Sequence, residues 1–290
     1  MTTSESRFFH ISKTGKLDTI PSLTSALAAT SNSGYIWLDY CQPSKEELFT
    51  LIQPLGLHPL SIEDCTHENQ LPKMDDFRSH TFMIFNAYEY TTEALIVNEV
   101  DVFIGTNFLI TVSGRDSKNQ PILKGIEKLV ELESDLVQHG PAFLLHIIMD
   151  KIVDQKFLAI ETIEEELDQE EEVILTDLAK FDPSTLLHLR KDLLAIRKNL
   201  FHEREILGKI ARKDSPFIPE KAIYFYRDIH DHLSKFYELT ESSRDLVTIL
   251  MEMYLSMLNN QMSKAANQTN AIVRRLTLIT TIFMPLTLIS

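Results

Sequence analysis

The chain of 290 residues is 44% hydrophobic and 24% charged, enough for one large or two medium domains with real cores, so disorder is not the default. Its 42 acidic against 28 basic residues leave a formal net charge of -14, which argues against a nucleic-acid backbone as partner and favours cations. Two cysteines, Cys41 and Cys65, argue against a disulfide scaffold or a four-ligand zinc site and suit a reducing compartment.

The first thirty residues carry polar stretches, Ser4-Glu5-Ser6-Arg7 and Lys13-Thr14-Gly15-Lys16, and no apolar signal-peptide core. Strand-like runs follow at 7–11, 35–39, 80–90, 95–104 and 108–112, with helical stretches at 21–29 and 45–55. Gly105-Thr106-Asn107 between two β-branched and aromatic runs marks a hairpin, whereas helices or longer loops separate the other strands. Residues 1–140 therefore read as an α/β domain, a mixed sheet covered by helices.

After Gly140-Pro141 no glycine occurs until Gly208 and the one proline is Pro183, so long helices are expected at 142–178 and 183–210. These make residues 141–218 an antiparallel long-helix pair. A third helix starts near Pro219, with apolar Ile229, Leu233, Phe236, Leu239, Leu246, Leu250, Met253 and Met257 at helical spacing. No glycine or proline interrupts it before Pro285, which predicts about 100 Å of helix, a stalk (219–275) packed in an oligomeric bundle. Residues 276–290, LTLITTIFMPLTLIS, hold no charge and directly follow Arg274 and Arg275. Since a bilayer core takes about 20 apolar residues, this run reads as the cut start of a transmembrane helix rather than a buried terminal helix. The arginines put the preceding chain on the cytoplasmic side.

One face of that last helix turns polar, through Asn260, Ser263, Asn267, Asn270, Thr277 and Thr281. In a symmetric bundle each becomes a ring of oxygens able to hold a hydrated cation weakly enough to release it. The opposing reading is a solvated face, with threonines bonded back to their own helix. Magnesium prefers oxygen ligands and keeps most of its water, so paired acids are its natural partners. The pairs are Glu63-Asp64, Asp150 with Asp154, and Asp228 with Asp231, each of which is otherwise ordinary surface acid. The acid run 161–172 (ETIEEELDQEEE) is expected to interleave with Arg190, Lys191, Arg197, Lys198, Arg204 and Lys209 across the helix pair.

Three stretches, 56–64 (GLHPLSIED), 226–232 (YRDIHDH) and 276–288 (LTLITTIFMPLTL), resemble the CorA family of divalent-cation channels. The resemblance implies a homopentamer in a lipid bilayer, with a cytoplasmic α/β domain, a funnel of stalk helices and a pore-lining first membrane helix. It implies magnesium as transported and regulatory ion, with cobalt and nickel as further cargo. Glu63 and Asp64 of one subunit would face Asp228 of the next, Asp150 would serve a second ion, and Asn270, Thr277, Thr281 and Met284 would line the pore. Two alternatives stand beside this reading: a zinc-transporting branch of the same superfamily, and a membrane-tethered coiled-coil scaffold without a pore. Catalysis is not expected, because Gly-x-Ser-x-Gly, Gly-x-x-x-x-Gly-Lys-Ser/Thr and His-Glu-x-x-His are all absent from the sequence.

Overall fold

A computed structural model describes residues 5–30, 33–67, 70–91 and 94–289, and the side chains of these through 282. Strand β1 (Glu5–Ser12) turns back into β2 (Leu17–Ile20) at Gly15, whose φ of 75° and close approach to the Ser134 carbonyl exclude a Cβ. Helix α1 (Leu23–Ala29) is capped by Ser22, and strand β3 (Gly34–Cys41) follows. The helix expected over 45–55 is broken into α2 (Lys45–Phe49) and α3 (Ile52–Leu55). Pro54 is the physical reason, since it lacks an N–H and its ring opposes the carbonyl of Thr50, one turn earlier. Gly56, at φ 66°, ends α3 in the left-handed conformation.

Next come α4 (Pro59–Cys65), β4 (Met74–Asp76), β5 (Thr81–Tyr90), β6 (Leu95–Ile104) and β7 (Phe108–Ser113). The strands form one mixed sheet in the order β2-β1-β3-β7-β6-β5-β4, with β3 and β7 parallel and the other neighbours antiparallel. The five expected strands are all present and the Gly105 hairpin joins β6 to β7. Both β2 and β4 are additional: each is too short to establish an alternation of its own, and pairing to a longer neighbour orders it.

One sheet face contributes Ile36, Leu38, Phe82, Ile84, Phe103 and Ile110 to a core closed by Ala26, Leu48, Leu51, Leu57 and Ile62 from α1, α2, α4 and their connections. On the other face a polar relay crosses the strands. Trp37 Nε1 donates to Thr111 Oγ1 (3.0 Å), Thr111 donates to the buried Asp39 (2.7 Å), and Arg7 pairs with Asp39 (2.5 Å) and Glu127 (3.2 Å). Glu127 belongs to α5 (Ile126–Leu132), which α6 (Ser134–Val137) follows.

Three long helices complete the chain: α7 (Pro141–Thr176), α8 (Pro183–Ala211) and α9 (Ile223–Ile289), the last preceded by a short 3-10 turn at Glu220–Ala222. Their starts fall where proline placement puts them. The chain divides into two compact units, Met1–Ile163 with Asp192–Glu241, and Glu164–Lys191 with Ser242–Ser290. In the second, the Phe181 and Tyr254 rings lie 4.7 Å apart, tilted by 45°, and Ile174, Leu186, Leu189 and Leu250 are buried. The expected interleaving of residues 161–172 with the bases of α8 does not describe Arg197 and Arg204. Seven residues apart and so on one helix face, they turn to α9, where Arg197 pairs with Glu241 and Arg204 lies 4.8 Å over the Tyr237 ring. Among the described residues no helix is long and apolar enough to cross a membrane.

Candidate metal centre

Helix α4 presents Glu63 and Asp64, and several contacts fix it on the sheet. Leu57 and Ile62 enter the core, Pro59 opens the first turn, and His58 Nδ1 accepts the Leu60 N–H (3.2 Å). Ser61 Oγ lies 3.1 Å from Nε2 of the buried His80. The His58 ring stacks on Phe77, which stacks on His80, each at 4.8 Å. With α4 seated, Glu63 is exposed, whereas Asp64 is half-buried with Oδ2 2.7 Å from Lys73 Nζ.

The strand beneath supplies two more acids. Glu99 accepts the Gln70 N–H at 2.8 Å, and Asp101 accepts from Cys65 Sγ at 3.1 Å. Asp101 is 4% exposed and its Oδ1 has no hydrogen-bond partner. Burial first, then the Glu99 charge, push its carboxyl up to about 8. A sequence signal existed for this pair: in LIVNEVDVFI two acids fall on the same strand face as the core residue Phe103, where alternation predicts apolar side chains.

The other predicted acids lie on α7 and α9. Asp150 is half-buried and Asp154 and Asp228 are exposed. Burial raises the Asp150 pKa, the charges of Asp154 and Asp228 add to the shift, and His146 and His232 oppose it. Asp150 and Asp228 thus share one electrostatic neighbourhood. His146, which sequence reasoning did not single out, has a buried Nδ1 without a hydrogen-bond partner, and burial lowers its pKa. Among the described residues no group of three or more His, Cys, Asp or Glu side chains converges as a metal site within one chain. Glu63 and Asp64 therefore do not join Asp228 in the same subunit.

On α9, Asn270, Thr277 and Thr281 are exposed. Thr277 Oγ1 donates to the Val273 carbonyl (2.9 Å) and Thr281 Oγ1 to the Thr277 carbonyl (2.7 Å). Met284 lies outside the residues whose side chains are described.

A family model described as CorA-like Mg2+ transporter protein matches residues 32–290. The chain belongs to the CorA-like Mg2+ transporter family. YfjQ of Bacillus subtilis is 31% identical over 256 residues, 88% of this chain and 76% of its own length. The cobalt/magnesium transport protein CorA of Thermotoga maritima is 28% identical over 238 residues, 81% of this chain and 65% of that protein. The complete structure of the CorA magnesium transporter from Methanocaldococcus jannaschii superposes with a TM-score of 0.74 at 23% identity, covering 98% of this chain and 84% of that one. The last likeness establishes a shared fold: the mixed sheet, the helices on it and the long C-terminal helix. The CorA family is one of ion transporters, so the chain is not an enzyme. For a CorA-family chain the all-oxygen character of Glu63, Asp64, Asp150 and Asp228 suits a hard divalent cation held partly through its water.

Proposed function

We propose that this chain forms the cytoplasmic sensor of a homopentameric divalent-cation channel, with residues 276–289 as part of a pore-lining membrane helix and magnesium as cargo. One observation carries the reading: every residue from 259 to 282 of α9 is exposed, the apolar Met262, Ile272, Val273, Leu276, Leu278, Ile279 and Ile282 among them. A helix without intrachain cover takes its stability from other chains or from lipid. Arg274 and Arg275 before the apolar run favour a cytoplasmic origin for the preceding chain. The polar face through Asn270, Thr277 and Thr281 supports a pore lining. Both threonines commit their hydroxyl protons to their own helix, which leaves oxygen lone pairs to accept from the water around an ion.

Gating in this reading uses half-sites. Glu63 and Asp64 of one subunit meet Asp228 of the next, and Asp150 serves a second ion. Bound magnesium offsets carboxylate repulsion and holds the assembly closed, while scarcity releases it. Cobalt is a further cargo, since the Thermotoga maritima relative is named for both ions. A zinc cargo is favoured by one feature, the nitrogens of His146 and His232 beside Asp150.

The test is the melting temperature of the chain across a magnesium titration at constant ionic strength, with sodium and zinc arms and the oligomeric state measured by light scattering. A saturable rise with magnesium, lost in Asp64→Ala and Asp228→Ala, is expected. No magnesium response in a chain measured as a pentamer would remove the sensor assignment, and a response to zinc alone would move the cargo to that ion.

A further inference from the structure

We propose that Lys73 is a tethered cation that holds Asp64 when no metal is bound, so that magnesium gains Asp64 by displacing the ammonium. The proposal rests on the reading of Asp64 as a magnesium ligand. Lys73 Nζ lies 2.7 Å from Asp64 Oδ2, and both side chains are about one-third exposed, open to competition from solution ions. The backbone beneath is fixed: the buried Pro72 precedes Lys73, the Lys73 carbonyl accepts the Ile84 N–H at 3.0 Å, and β4 begins at the next residue. The head group is not fixed. A second carboxylate, Asp75 Oδ2, stands 3.9 Å from the same ammonium, and the Phe82 ring lies 6.0 Å from it. On a flexible four-carbon stem a compact point charge can move from one acid to the other without moving β4.

The surroundings make that arrangement useful. Glu99 and the neutral Asp101 lie behind Asp64, so an uncompensated Asp64 would add a second charge to the patch. Lys73 neutralises it in the ion-free chain, and a divalent ion replaces one positive charge by two. Affinity for the ion is then lowered by the fraction of chains in which the pair is formed. Partly exposed ion pairs are weak, so the expected effect is about two- to fivefold in ion concentration. The device would set the magnesium threshold of the sensor without being a ligand.

The experiment titrates the 290-residue chain with magnesium chloride at constant ionic strength and pH, taking the midpoint of the magnesium-dependent rise in melting temperature. Lys73→Met, which keeps the stem over Phe82, is expected to lower the midpoint about two- to fivefold. Lys73→Arg, which keeps the charge and offers carboxylates a fork, is expected to leave it at or above wild type. Asp64→Asn should abolish the response alone and combined with Lys73→Met, which ties the gain to that carboxylate. Should Lys73→Met not fold, Lys73→Gln carries the same expectation. An unchanged or raised midpoint in the neutral variant, with Asp64→Asn still abolishing the response, overturns the displacement and leaves Asp64 as ligand. No response in wild type overturns both.

Discussion

Asp101 faces the core side of β6, where neutral side chains belong. Cys65 donates to one oxygen, the other is buried without a partner, and burial with Glu99 nearby keeps the carboxyl protonated to about pH 8. A carboxyl whose folded pKa lies above its ordinary 3.8 contributes stability that is present at low pH and is lost as pH rises through the folded value. The wild-type chain should therefore lose stability, relative to Asp101→Asn, as pH rises from about 4 to about 8. The difference between the two curves is the quantity to take, by urea unfolding at each pH. His80 titrates in part of the same window with the opposite sign: burial lowers it to about 4, so its contribution grows as pH rises towards 6.5. Parallel curves for wild type and Asp101→Asn would show that Asp101 is already ionised in the folded chain.

Strand β5 poses a problem that belongs to elements rather than residues. β4 pairs with Thr81, Phe82 and Met83 and the Lys73 carbonyl takes the Ile84 N–H, so past that point the outer edge of β5 needs other partners for its backbone. Helices α7 and α8 supply them through one ion pair. Glu203 Oε1 accepts the Asn86 N–H at 2.9 Å, Lys156 donates to the Asn86 carbonyl, and Lys156 Nζ lies 2.7 Å from Glu203. Both side chains are essentially buried, at 1% and 0% exposure. Removing one partner leaves a buried charge and an unsatisfied backbone group, so Lys156→Met should cost about 3–5 kcal/mol. The double variant with Glu203→Leu should recover part of this but not all, because Asn86 then loses both partners. Chemical denaturation of the two variants measures it, and a single-variant loss under about 1 kcal/mol would mean that water satisfies the edge.

At the scale of the molecule, residues 259–282 of α9 are all exposed, without cover from the described residues of their own chain. Removing residues 259–290 should therefore leave the unfolding midpoint of the sheet-bearing unit, Met1–Ile163 with Asp192–Glu241, within error of the intact chain. If that segment mediates assembly, the shortened chain should also sediment as a smaller species. A loss of several degrees in the sheet unit would show that the segment stabilises it. Exposed large apolar side chains in such density mark an interaction surface rather than a solvated one, which supports the proposal that neighbours or lipid cover this helix.

Period and punctuation alone determined the five longer strands, the Gly105 hairpin and the starts of the three long helices, whereas the set Glu63, Asp64, Asp150 and Asp228 came from the family resemblance and not from spacing. Each of these elements rests on a local rule that holds wherever the segment ends up: alternation, or proline at a first turn. The helix expected over 45–55 failed because a single proline outweighed a run of good helix formers. Tertiary structure alone decided that Lys73 meets Asp64, that Lys156 and Glu203 close the edge of β5, and that Arg197 and Arg204 turn to α9 rather than to the acid run. These partners are separated by 9 to 47 residues in the chain, and a charged side chain carries no local mark of which opposite charge it will find. That choice is made by the packing of apolar faces, which brings the charges to each other.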